Sequence, residues 1–152
     1  MKCPACLGLL ISALLAFPST SAAAPGPASG NIAQLSYIVA GFDTGGGGTA
    51  VYYDEMDSLT GTLSGVTALH GACKTQTSGR TTCRADGSFA GTVDGRVGSF
   101  FFTEAIDVDS ASGAYSGRIG IHGSSGDLAG LHGHGTVQGV GPTGSYSLQI
   151  SL

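Results

Sequence analysis

The stretch SYSLQISL, Ser145–Leu152, alternates polar and apolar residues without a break. Successive side chains of an extended strand point to opposite faces. That period puts Tyr146, Leu148, Ile150 and Leu152 on one face, with Ser145, Ser147, Gln149 and Ser151 on the other. On a helix, the 3.6-residue period would scatter both sets around the axis. The stretch therefore reads as a strand with one buried and one wetted face.

The same period recurs upstream. Strands are expected at 32–42, 49–55, 59–75, 80–93, 97–108, 114–122 and 128–137, which with 145–152 makes eight. Turns are expected at GGGG (45–48), MDS (56–58), SG (78–79), DG (94–95), SASG (110–113), GSSG (123–126) and GPTG (141–144). No helical periodicity competes with these segments. Short connections favour antiparallel pairing of neighbours. An even set of hairpins with one apolar face closes into an all-β, eight-stranded up-and-down barrel, which leaves no exposed edge. A two-sheet sandwich is the alternative arrangement. The 152 residues fit one domain, and with 27 Gly and only 11% charged residues the composition suits tightly bent strands. That domain is expected over 31–152, after a flexible leader at 24–30 that contains PGPASG.

Ahead of the leader, Met1-Lys2, the apolar run LGLLISALLAF (7–17) and the small residues SAAA (21–24) have the order of a cleaved secretory signal, placed at 1–23. The run is too short to span a bilayer, so no membrane span is expected. Cys3 and Cys6 fall in that segment. The remaining cysteines, Cys73 and Cys83, are symmetric about Ser78. A hairpin there sets them opposite each other, and an extracellular compartment favours their disulfide. The formal charge is −4, with six Lys+Arg spread singly. No basic footprint for nucleic acid exists.

Three stretches, GRVGSFFF (95–102), GSSGDLAGLHGHGTV (123–137) and GSYSLQISL (144–152), resemble the domain of unknown function 3224 family, within the allene oxide cyclase-like barrel class. The resemblance implies an eight-stranded antiparallel barrel. It also implies kinship with barrels that bind small hydrophobic molecules, several of which steer a cyclisation or isomerisation.

Alternation also assigns an inward row to each strand. The rows are Phe100, Phe102, Glu104, Ile106 and Val108; Tyr115, Ile119 and Ile121; Leu59, Leu63, Leu69 and Cys73; and Cys83, Phe89 and Val93. For the first two strands the inward sets are Leu35, Tyr37, Val39 and Val51, Tyr53, Glu55. An apolar lumen with a few convergent polar groups is the pattern of a small-molecule site. The candidate catalytic residues are Glu104, which interrupts an apolar row, with Tyr115 and Tyr146. Burial would raise the Glu104 pKa and make it a usable acid. A position at the barrel mouth would leave it simply solvated. Tyr37, Tyr53, Phe100, Phe102, Ile119, Ile121, Leu148 and Ile150 are the candidate ligand contacts.

Other chemistry finds less footing. His132 and His134 share a strand face at a spacing two-His metal sites use, with His122 or Asp127 as a third ligand. That face is the outward one, so no metal is expected. No GxSxG elbow, phosphate loop or cofactor motif occurs, and no cofactor is expected. Asp54, Glu55 and Asp57 read as an acidic, solvated turn. The expected function is a secreted barrel that binds a small apolar, unsaturated molecule and steers its intramolecular cyclisation or isomerisation. The alternatives are a non-catalytic carrier and a surface-interaction protein with a packed core.

Overall fold

A computed structural model describes residues 25–45 and 48–152. The signal segment assigned to 1–23 lies outside the described residues. Eight strands follow one another: β1 (Gly26–Asp43), β2 (Gly48–Gly61), β3 (Leu63–Gln76), β4 (Thr81–Val93), β5 (Arg96–Val108), β6 (Ala114–Gly126), β7 (His132–Val140) and β8 (Thr143–Ser151). Each pairs antiparallel with its neighbour, and β1 pairs with β8 to close the barrel. No helix among the described residues is long and apolar enough to cross a membrane.

The expected all-β, eight-stranded barrel is therefore the observed fold, with three local corrections. First, β2 runs unbroken through Met56-Asp57-Ser58, and the chain turns at Gly61-Thr62. The period of two continues through Glu55, Asp57 and Leu59, so a sheet partner is available at every residue of MDS. Second, Gly26–Gly30 are not a leader but the start of β1, hydrogen-bonded along β8 from Gly26↔Ile150 to Gly30↔Tyr146. Closure of the barrel requires a partner for the β8 edge, and this segment supplies it. Third, GSSG ends β6 rather than turning. The chain reverses over Asp127–Leu131, where Leu128 and Leu131 are buried.

The inward rows hold on β2 to β6 and on β8, but β1 changes phase. A bulge falls between Gln34 and Ser36, leaving Leu35 without a partner on β2. Before it the even residues face in, with Ala28 buried and Ile32 packed on the core. After it Tyr37 is the inward residue, opposite Glu55. Leu35, expected inward, is 58% exposed because the extra residue of a bulge is left out of the ladder.

The lumen has two unlike halves. At the end carrying the β2–β3, β4–β5 and β6–β7 turns it is largely filled by Leu63, Phe89, Val93, Phe100 and Tyr146. Phe89 and Phe100 stack there with ring centroids 4.6 Å apart. The opposite end, bearing the β1–β2, β3–β4, β5–β6 and β7–β8 connections, is hollow.

Candidate functional site

The hollow end holds a cavity of about 250 Å³. Its apolar wall is Ile32, Leu69, Ile106, Val108 and Val137, and its rim includes Gly113, Gly141 and Pro142. A narrower void of about 40 Å³ lies deeper, among Phe100, Phe102, Ile119, Ile121 and Leu148.

Three carboxyl groups project into this space: Glu55 and Asp57 from β2, and Glu104 from β5. Glu55 and Asp57 share a face because they are two residues apart on one strand. Glu104 comes from three strands round the barrel. Glu55 accepts a hydrogen bond from the Gln34 amide at 2.7 Å, and Asp57 accepts one from the Thr67 hydroxyl at 3.2 Å. Burial pushes the Asp57 carboxyl up to about 7, helped by the charge and hydrogen bonding of Glu55 beside it. Burial, then Glu55 and Asp57, likewise push Glu104 up to about 7. These are acids that keep their protons near neutrality, because a dry wall and each other's charge disfavour ionisation.

Tyr53 occupies the middle of the site. Its ring lies over Gly71, where a Cβ would meet the Tyr53 hydroxyl and Cζ at 2.7 Å each. The missing Cβ lets the ring reach toward Ala85, the β4 partner of Glu104. Burial and then Glu104 raise the Tyr53 phenol well above its ordinary range. Tyr37 stacks on Tyr53 at 5.1 Å, extending the aromatic surface to the mouth. Across the mouth, Tyr115 lies over Gly139 and Gly144 on β7 and β8. Burial and the neighbouring carboxylates, Asp57 foremost, push its phenol up to about 12.

Of the candidate residues, the cavity brings together Glu104, Tyr115, Tyr37 and Tyr53. Phe100, Phe102, Ile119, Ile121 and Leu148 line the narrower void beneath it. Tyr146 borders the deeper void with them but not the cavity above it, and Ile150 borders neither. The Tyr146 hydroxyl, expected to be catalytic, accepts a hydrogen bond from the Leu63 amide at 2.8 Å and donates toward the Thr60 and Leu63 carbonyls. It ties β8 to the β2–β3 corner at the packed end. Ile150 lies at that same end, beside Leu128 and Leu131.

Two site residues escaped the sequence reading, Asp57 as a lumen group and Gln34. Asp57 was hidden by the turn assigned to MDS, although its parity with Val51, Tyr53, Glu55 and Leu59 was already visible. Gln34 was hidden by the bulge, for which the sequence carries no signal. His132 and His134 are exposed on the outer face, as their strand phase indicated. The Cys73–Cys83 disulfide is formed between directly opposed residues of β3 and β4, and it lines the cavity mouth.

Neither a protein-family model nor a curated protein matches the chain. Among solved structures it is similar to a protein of unknown function from Shewanella oneidensis, of the domain of unknown function 3224 family. The TM-score is 0.64 at 15% identity, over 83% of this chain and 96% of the other. That likeness supports the resemblance read from the carboxyl half and shows a shared fold.

Proposed function

We propose that the protein is a secreted barrel that binds a small molecule in the hollow end of its lumen. The observation that carries this reading is the cavity itself, apolar on its wall and lined by three carboxyl groups and three tyrosines. A core selected only for stability would fill such a space and exclude unneutralised acids. The apolar run at 7–17 and the disulfide both support an extracellular site of action.

The test is titration with an uncharged dye, phenylnaphthylamine, against two tryptophan variants. Ile106→Trp fills the cavity and should abolish binding. Ile150→Trp, at the packed end, should bind as the parent does. Equal affinity in parent and Ile106→Trp would place the ligand elsewhere and return the packed-core alternative.

A second reading, acid-assisted isomerisation or cyclisation, is favoured by the position of Glu104. A proton given by its carboxyl to one atom of the ligand, and one taken from another atom by Glu55, leaves the ligand's composition unchanged. The proton returns from Glu55 to Glu104 through solvent at the mouth. Such transfer contributes typically 10²–10⁴-fold in rate, so Glu104→Gln would lower turnover by about 10²-fold or more while the dye still binds.

A further inference from the structure

The lumen is one-sided in charge. Every Lys, Arg and His among the described residues is exposed on the outer surface: Lys74, Arg80, Arg84, Arg96, Arg118 and the four histidines. No cationic side chain among the described residues reaches the three carboxyl groups inside. Among the described residues, Glu55 and Asp57 bond to each other and otherwise meet only Gln34 and Thr67, and Glu104 has no hydrogen bond. Tyr53 supplies an independent observation. The residue is only 2% exposed, yet its hydroxyl has no hydrogen-bond partner among the described residues. No fully buried side-chain polar atom lacks a partner, so the remaining access of that hydroxyl is to the cavity it lines. A buried phenol normally finds a partner within the protein.

On the reading that this cavity is the binding site, we propose that its ligand carries a protonated amine on a compact apolar body. The ammonium group would sit between the Glu55–Asp57 pair and Glu104, with the Tyr53 hydroxyl as a further acceptor. The apolar body would lie against Leu69, Ile106 and Val137.

The chemistry selects this class over its rivals. An ammonium brings several N–H donors to carboxylates that come from opposite sides of a lumen. A metal ion needs its ligands to converge, and no three acidic, His or Cys side chains among the described residues do so. An anionic ligand would meet three acids and no cation. A neutral ligand would leave the acids as they stand. The Tyr37–Tyr53 stack at 5.1 Å adds ring faces that attract a cation at the mouth.

The groups that face the ammonium position decide its pH dependence. They are Gln34 and Tyr37 from β1, Tyr53, Glu55 and Asp57 from β2, and Thr67 from β3. The disulfide from β3 and β4, Glu104 from β5 and Tyr115 from β6 complete the set. The β7 contribution is the apolar Val137. Asp57 and Glu104 lose their protons near pH 7, whereas an alkylamine keeps its own to about pH 10. Affinity for an amine should therefore rise from pH 6 to pH 8.

The experiment uses three molecules of one shape, phenethylamine, phenethyl alcohol and phenylacetate, titrated calorimetrically and by displacement of the dye at pH 8. Phenethylamine should bind roughly tenfold or more tightly than the alcohol, the scale of a charge-assisted hydrogen bond, with phenylacetate weakest. Glu104→Gln and Asp57→Asn should each shrink that preference. In the parent protein, which carries no risk of misfolding, amine affinity should rise about tenfold from pH 6 to pH 8, while alcohol affinity stays level. Equal or tighter binding of the alcohol or the acid overturns the amine inference, as does a flat pH profile. In either case, dye binding that Ile106→Trp abolishes leaves the cavity reading standing. Dye binding unaffected by Ile106→Trp overturns both.

Discussion

Tyr146 shows how a single residue's role depends on what its polar atom touches. Strand phase put it in the lumen correctly, at 4% exposure, but the phase says nothing about height along the barrel axis. At the packed end its hydroxyl serves the buried Leu63 amide. Tyr146→Phe would leave that amide without an acceptor, at a cost of about 1–3 kcal/mol. Urea denaturation should show this loss, while dye affinity stays at the parent value. A weakened dye site with unchanged stability would return Tyr146 to the binding machinery. Glu104 is the opposite case. Its parity and its interruption of an apolar row were enough to single it out, because nothing about its environment depends on a local irregularity.

At the level of elements, most strands were legible because each has one wetted and one buried face. The errors fall where backbone geometry departs from that rule. The Leu35 bulge inserts one residue and inverts the β1 phase, and no residue type at 34–36 compels a bulge. Met56-Asp57-Ser58 has turn-like composition, yet β1 and β3 supply partners on both sides and tertiary pairing prevails over local propensity. In the β3–β4 hairpin, two cysteines symmetric about Ser78 leave one register. Their disulfide closes a separation of 10 residues at the cavity mouth. Cys73→Ala with Cys83→Ala should cost roughly 2–3 kcal/mol, the lower range for a short closed loop. Thiol titration of the denatured parent should find neither Cys73 nor Cys83 free.

At the scale of the whole molecule, carboxyl groups held in the lumen make stability depend on pH in a fixed direction. Asp57 and Glu104 hold protons to about 7 in the folded chain. Unfolded, they release them near pH 4. Between these values the folded state binds more protons, so stability falls as pH rises from about 4 to about 7 and levels off above. Asp109, held low by Ser112 and the Ala111 amide, acts in the other direction only below that window. The melting temperature should be higher at pH 5 than at pH 8, and Glu104→Gln should narrow the difference. A higher value at pH 8 would mean that the lumen carboxyl groups ionise freely. An all-β fold of eight strands, a cross-link through Cys73 and Cys83 and a mostly apolar inward row were legible along the chain alone. Period-two alternation and short turns are local properties, and they leave one topology that buries every apolar face without an edge. Which half of the lumen is filled, and the meeting of Asp57 and Gln34 with Glu55 and Glu104, came from packing across the barrel. Those outcomes depend on shear, on one bulge and on which side chains meet across the barrel, distances that no residue's immediate neighbours along the chain encode.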